Sequence, residues 1–199
     1  MRGIGQVVRL SAIFCGALWL VGCATPTTAP LPAYSKAIRN QLYRLQQWSL
    51  DGRLALNAGK ESWSATLLWE HNPKLEHLKL SGPLGQGAAD IKLGQGQVVI
   101  DRGGKDVQVS RHPEQFISQQ LGLAVPIRSL GYWVVGVPEP NTAVFETGNG
   151  FKQGDWIVAY KEMQLVGKHA LPKKMLVMNG QVRVKIMIDQ WKIDVDKPE

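Results

Sequence analysis

From Trp48 onward, apolar residues fall at every second position. Trp48, Leu50, Leu54 and Leu56 alternate with Ser49, Asp51, Arg53 and Asn57 around Gly52. Trp63, Ala65, Leu67 and Trp69 alternate in the same way with Ser62, Ser64 and Thr66. A strand points successive side chains to opposite faces, so this period of two predicts half-buried antiparallel strands. Further strands are predicted at 74–82, 88–93, 97–101 and 105–110, with turns at Gly94-Gln95-Gly96 and Gly103-Gly104. Before them, Tyr34, Ile38, Leu42 and Leu45 are spaced as on one amphipathic helix over 34–47. In the middle the period of two stops. PEQFISQQLG opens on Pro113 and closes on Gly122, and PIRSLGYWVVG opens on Pro126 and closes on Gly136, the Pro-first, Gly-last asymmetry of helices. Strands then resume in DWIVAY, KKMLVMN, QVRVKIMID and QWKIDV, the third with Val182, Val184, Ile186 and Ile188 on one face. The class is α+β: one long antiparallel sheet with a helical insertion and an N-terminal helix.

The N-terminus changes the compartment. Arg2 and Arg9 precede an apolar run from Leu10 to Val21. As a helix, those residues would span about 18 Å, short of a ~30 Å hydrocarbon core, so residues 1–22 are expected to be a cleaved signal rather than a membrane anchor. The run ends on Leu20-Val21-Gly22-Cys23, which resembles a bacterial lipobox and makes Cys23 the expected acceptor of diacylglycerol and N-acyl groups. Cys15 would leave with the signal and Cys23 would be lipidated, so no thiol would remain for a disulfide or a metal. Residues 23–33, rich in Pro, Thr and Ala, are expected to tether one domain over 34–199. Ala24 follows the cysteine where Asp would resemble an inner-membrane retention signal, which favours the outer membrane.

The formal charge is +7, including Arg2 and Arg9 of the leader. Lys and Arg are dispersed, without the runs or interleaved aromatics of a nucleic-acid surface, so no nucleic-acid partner is expected. The spread charge serves solubility, with weak attraction to anionic headgroups as the alternative. Candidate chemistry is sparse. Gly82 and Gly87 have the GxxxxG spacing of a phosphate loop, but Ala88 and Ala89 stand where Lys and Ser/Thr are required. No GxSxG occurs, and His71, His77, His112 and His169 have no metal-binding spacing. His71 and His77 could meet across a hairpin, as an exposed pair rather than a metal site. No catalytic residue, metal or cofactor is expected. Six tryptophans follow the leader, Trp48, Trp63, Trp69, Trp133, Trp156 and Trp191, and composition does not separate a filled core from a hollow one. Leu84 stands in a Gly/Pro turn, SGPLGQG, either folded into a core or presented as an apolar tip.

In order along the chain, the lipobox, WSLDGRLAL, SATLLWE, LSGPLGQG, LGLAVPIRSLGYWVVGVP, Gln153 with GDWIVAY, LPKKMLV and a late DQW resemble the LolB family of outer-membrane lipoprotein receptors. The resemblance implies an unclosed antiparallel β-barrel of about eleven strands with a helical lid over an apolar cavity. It implies a monomeric receptor, lipid-anchored in the outer membrane and facing the periplasm. Such a receptor accepts the acyl chains of lipoprotein cargo from the periplasmic carrier LolA and incorporates the cargo into the membrane. LolA shares the fold, but a soluble carrier needs neither lipobox nor tether, so Cys23 favours the receptor. Exposing ten methylenes to water costs about 8 kcal/mol at ~0.8 kcal/mol each, so a cavity-to-cavity handoff is faster than release through solvent and needs no nucleotide. The cavity is then expected to involve Leu54, Leu56, Trp63, Leu67 and Trp69 from strands, with Phe116, Leu130 and Trp133 from the lid. Pro83, Leu84 and Gly85 match the family's protruding loop, whose leucine enters the bilayer. The family's turn often reads Asn-Pro-Leu-Gly, and Gly82 here replaces the Asn. Two other functions compete: a structural envelope lipoprotein whose interior is fully packed, or an enzyme acting on a lipid or glycan, for which a cleft with clustered His and carboxylates would be required.

Overall fold

Alternating burial, the property read from the sequence, governs the strands. In β1 (Trp48–Ala58), Trp48, Leu50, Gly52, Leu54 and Leu56 are buried while Arg53, Ala55 and Asn57 face solvent. The computed structural model describes residues 33–83, 87–121 and 125–193. It continues with β2 (Glu61–Asn72), β3 (Leu75–Ser81), β4 (Ala89–Gly94), β5 (Gln97–Asp101), β6 (Val107–Ser110), β7 (Val144–Thr147), β8 (Gly150–Gln153), β9 (Trp156–Val166), β10 (His169–Met178) and β11 (Val182–Ile193). All eleven form one antiparallel sheet in the order β6-β5-β4-β3-β2-β1-β11-β10-β9-β8-β7. The first and last strands pair in its middle, and β6 and β7 are left as unjoined edges. The result is an unclosed barrel.

That strand order fixes where the helices go. The chain leaves the sheet at the β6 edge and must return at the β7 edge, and α2 (Pro113–Leu121) and α3 (Ile127–Val135) lie in this connection. α2 packs on β5 in one half of the sheet and α3 on β10 in the other. The two helices therefore bridge the interior from edge to edge. α3 ends on Gly136, whose φ of 102° is a left-handed cap that glycine adopts without strain.

Four features differ from the sequence-based expectation. The helix expected over 34–47 is a 3-10 turn at Lys36–Ile38 followed by α1 (Arg39–Leu42). A segment this short gains little from its own hydrogen bonds, so its tertiary contacts set its geometry. Tyr34 stacks on Tyr160 at 4.6 Å, and Arg39 is bidentate to Glu146 of β7 at 2.7 and 2.8 Å. Strands β7 and β8 were not foreseen, because edge strand β7 is largely exposed and β8, though mostly buried, is four residues long with only Phe151 apolar and large. The expected separate strands at 181–189 and 190–195 are one strand, β11. Its pairing with β1 skips at Asp51/Gly52, and this β-bulge turns Trp191 inward after Val182, Val184, Ile186 and Ile188. A Cβ at Gly52 would press on the Met187 carbonyl, so the bulge requires glycine there. Finally, His71 and His77 do not meet. The β2–β3 register pairs His71 with Glu76 and Glu70 with His77, placing the two rings on opposite faces of the sheet.

Candidate functional site

The β1–β2 register sets Leu54 opposite Ala65, Leu56 opposite Trp63 and Leu50 opposite Trp69, all directed into the barrel. Leu54, Leu56, Leu67 and Trp69 are buried there with Leu130 and Trp133 of α3, in one apolar cluster. Trp63 and Phe116 are partly buried and pack against the same cluster. All eight residues expected around a cavity thus belong to, or pack against, the one apolar core cluster. Six of the eight are almost fully buried in this cluster, and none of the eight lines the open cavity described below. The tryptophans are part of the filling: Trp48 meets Trp69 and Trp191 edge-on at 5.4 and 5.6 Å, and Trp133 lies 6.0 Å from Trp156.

Polar contacts fasten α3 over this interior. Glu114 of α2 accepts from the backbone N–H of Ile127, at 3.0 Å, and so caps the start of α3. At the other end, Gln153 of β8 is buried. Its Oε1 accepts from Trp133 Nε1 at 2.7 Å and from the Glu139 N–H at 2.9 Å, and its Nε2 donates to the Glu139 carbonyl at 2.7 Å. The Tyr160 hydroxyl donates to the Trp133 carbonyl at 2.7 Å, and burial holds that phenol well above its ordinary pKa, so it remains a donor. Across the barrel, Glu76 of β3 accepts from Trp69 Nε1 at 2.7 Å and lies 2.6 Å from His71 Nδ1. Gly131 of α3 packs over it, with room for a Cβ 3.4 Å from Glu76 Oε1. Sequence reasoning did not single out Glu76, Tyr160 or Arg39. Only Gln153 carried a signal, as the polar residue that precedes GDWIVAY.

An open cavity of about 590 Å³ lies at the end of the barrel where β1 begins. The N-terminal segment (Leu42, Leu45, Gln46), the β2–β3 turn, the β4–β5 turn and one face of α3 surround it. The loop singled out in the sequence lies at the other end of β3, roughly 20 Å away at ~3.4 Å per residue. Pro83 is exposed there, while Leu84 and Gly85 lie outside the described residues, as do residues 1–32 with Cys23. Among the described residues, no group of three His, Cys, Asp or Glu side chains could hold a metal ion. His77 instead bridges carboxylates on the outer face, with Nδ1 3.1 Å from Glu70 and Nε2 2.9 Å from Asp90.

A family model described as "Outer membrane lipoprotein LolB" matches residues 46–191. An outer-membrane lipoprotein LolB of Nitrosococcus oceani is 28% identical over 197 residues, covering 93% of this chain and 98% of the relative. Its counterpart in Pseudomonas fluorescens is 30% identical over 166 residues, covering 80% and 81%. The LolB of a Marinomonas species is 29% identical over 175 residues, covering 84% and 87%.

Proposed function

The chain belongs to the LolB family of outer-membrane lipoproteins, and from that premise we propose that it receives lipoproteins from the periplasmic carrier LolA and incorporates them into the outer membrane. The observation that carries this reading is the helical cover spanning two unjoined sheet edges above an interior of apolar side chains. A barrel closed all round by strand pairing could not admit a chain sideways; here, among the described residues, side-chain packing and the Gln153 and Tyr160 contacts hold the cover down.

The magnitudes permit exchange. Lifting α3 exposes Ile127, Leu130, Trp133 and Val134, each fully or nearly fully buried. At ~1.5–3 kcal/mol per large apolar side chain, that costs roughly 6–12 kcal/mol. An incoming acyl chain returns ~0.8 kcal/mol per methylene, so ten to fifteen methylenes offset the displaced lid. Near-balance favours a handoff that proceeds in either direction according to which protein holds the chain better. The residues proposed to receive the chain are Leu54, Leu56, Trp63, Leu67 and Trp69, with Phe116, Leu130 and Trp133 moving with the lid.

In this reading residues 1–22 are removed, Cys23 is lipidated, residues 23–33 tether the 34–199 domain on the periplasmic side, and the protein acts as a monomer without catalysis. Pro83 and Gly85 bracket Leu84 so that one apolar side chain enters the bilayer and helps release cargo. The test is to mix the full-length protein with lipoprotein-loaded LolA and liposomes. Cargo is expected to move to this protein and then to the liposomes; cargo that stays on LolA contradicts the reading. The near-complete burial of Leu54, Leu56, Leu67 and Trp69 favours a second reading, an envelope lipoprotein that holds no ligand. It predicts no transfer and no uptake of an apolar fluorescent probe.

A further inference from the structure

The segment that precedes β1 is fastened to the lid as well as to the sheet. Tyr34 stacks on Tyr160 at 4.6 Å, and the Tyr160 hydroxyl donates to the Trp133 carbonyl of α3. Leu42 is buried against the end of α3, where its Cδ1 would lie 3.2 Å from a Cβ placed on Gly136. The Tyr43 hydroxyl donates to the Pro138 carbonyl at 2.8 Å, just past that end. Between these contacts, Arg39 ties the segment to edge strand β7 through both oxygens of Glu146. The chain therefore passes from β7 and β9, by way of the end of α3, to the start of β1.

The chemistry of this joint suits release. Arg39 is only 8% exposed, with its guanidinium donating to the Tyr34 hydroxyl and lying 5.3 Å from the Phe151 ring centroid. Apolar side chains of similar volume would hold a permanent joint at least as well. An ion pair instead fixes one position of the segment, and both charges regain their hydration when it parts. Glu146 is already partly exposed, which lowers the cost of parting further. The segment itself has little structure of its own to defend. Its 3-10 turn and the four residues of α1 are too short to persist once their side-chain contacts are lost.

Lifting α3 cannot leave this segment in place, because Gly136 and Pro138 move with the end of the helix. We propose that residues 34–45 are a releasable strap over α3, which holds the lid shut and parts from it when an acyl chain enters. The assignment rests on the acyl-receptor reading above. It carries a reciprocal consequence: whatever lifts the lid loosens the strap, and whatever loosens the strap favours the lifted lid.

The test uses the full-length protein and a triacylated cysteinyl peptide. Hydrogen exchange is followed at the amides of Tyr43, Arg44 and Leu45, which bond to the Arg39, Gln41 and Leu42 carbonyls inside the strap. Saturating ligand is expected to speed their exchange about tenfold, while the amides of β10 and β11 keep their protection, as a local rather than global opening requires. Arg39→Met is expected to bind the ligand about five- to tenfold tighter, since the closed form alone loses the contact. Tyr43→Phe removes one hydroxyl at a partly exposed ring and so should fold; it is expected to bind about threefold tighter. Strap amides that exchange no faster with ligand bound would overturn the strap and leave the acyl receptor standing. Affinity unchanged or weakened in Tyr43→Phe, or in folded Arg39→Met, would also overturn it. No binding by the unaltered protein or by either variant would overturn the acyl reading and the strap together.

Discussion

If α3 is a lid, weakening its fastening should improve ligand access even as it weakens the protein. Gln153→Ala is the sharpest such perturbation. It removes the three hydrogen bonds that join β8 to Trp133 and Glu139 and strands one indole N–H, one amide N–H and one carbonyl. Each buried group left unpaired costs about 1–3 kcal/mol, so the closed state should lose about 3 kcal/mol even if water reaches one of them. The open state has these groups hydrated with or without Gln153, so the gap between closed and open narrows by that amount. Apparent affinity rises with the fraction of competent molecules, and 1.4 kcal/mol is a factor of ten. Uptake of an apolar fluorescent probe should therefore tighten by ten- to a hundredfold, while the urea midpoint falls. Gly52→Ala is the control. Its new Cβ would press on the β11 backbone at Met187 and Ile188 and leaves the Gln153 contacts in place, so it should lower the urea midpoint without improving uptake. Equal probe affinity in Gln153→Ala and the unaltered protein, despite a lower urea midpoint, would refute the gating argument.

Other outcomes follow from single contacts. Leu84→Glu is expected to leave the fold and cargo uptake intact but to stop incorporation into liposomes, measured by flotation; normal incorporation would remove the loop's insertion role. Arg39→Met should free the N-terminal segment from β7, costing about 1–2 kcal/mol once the partial exposure of Glu146 is allowed for, and should speed proteolysis near Tyr34. Burial, with Lys168 nearby, holds the His169 imidazole below its ordinary pKa, so below about pH 6.5 the unfolded chain binds a proton that the folded one does not. Stability should then fall as pH drops through that value until the folded pKa is passed. His169→Gln should lose less than the unaltered protein between urea melts at pH 7.5 and 5.5; equal losses would contradict the assignment.

Strands with one buried face were legible because their alternation is a direct image of burial, as at Leu54, Leu56 and Leu67. The two insertion helices were legible from Pro113, Pro126 and Gly136, residues whose backbone preferences act locally. Strand β7 was not, since Phe145 and Glu146 face solvent on an edge and pattern needs a buried face, and β8 was not, since the positions it buries include Gly150 and Gln153 rather than alternating apolar residues. The continuity of β11 was hidden because one bulge at Asp51/Gly52 changes which parity points inward. The interior's eight apolar residues could be named from alternation and family resemblance, but not whether they were packed or hollow, which depends on how closely α3 settles. The open cavity was invisible for a different reason: it gathers Gln46, Asn72 and Gln95 from three turns whose proximity only the sheet order creates.

The claim that acyl chains lie between α3 and the sheet is tested most directly by photocrosslinking. A triacylated peptide with a photoreactive group near the end of one acyl chain would be bound to the full-length protein, irradiated and the labelled residues mapped by mass spectrometry. Labels are expected on inward residues such as Leu54, Leu67 and Trp69 and on Leu130 or Trp133 of α3. Labels confined to the outer faces of the strands, with none in the interior, would contradict it.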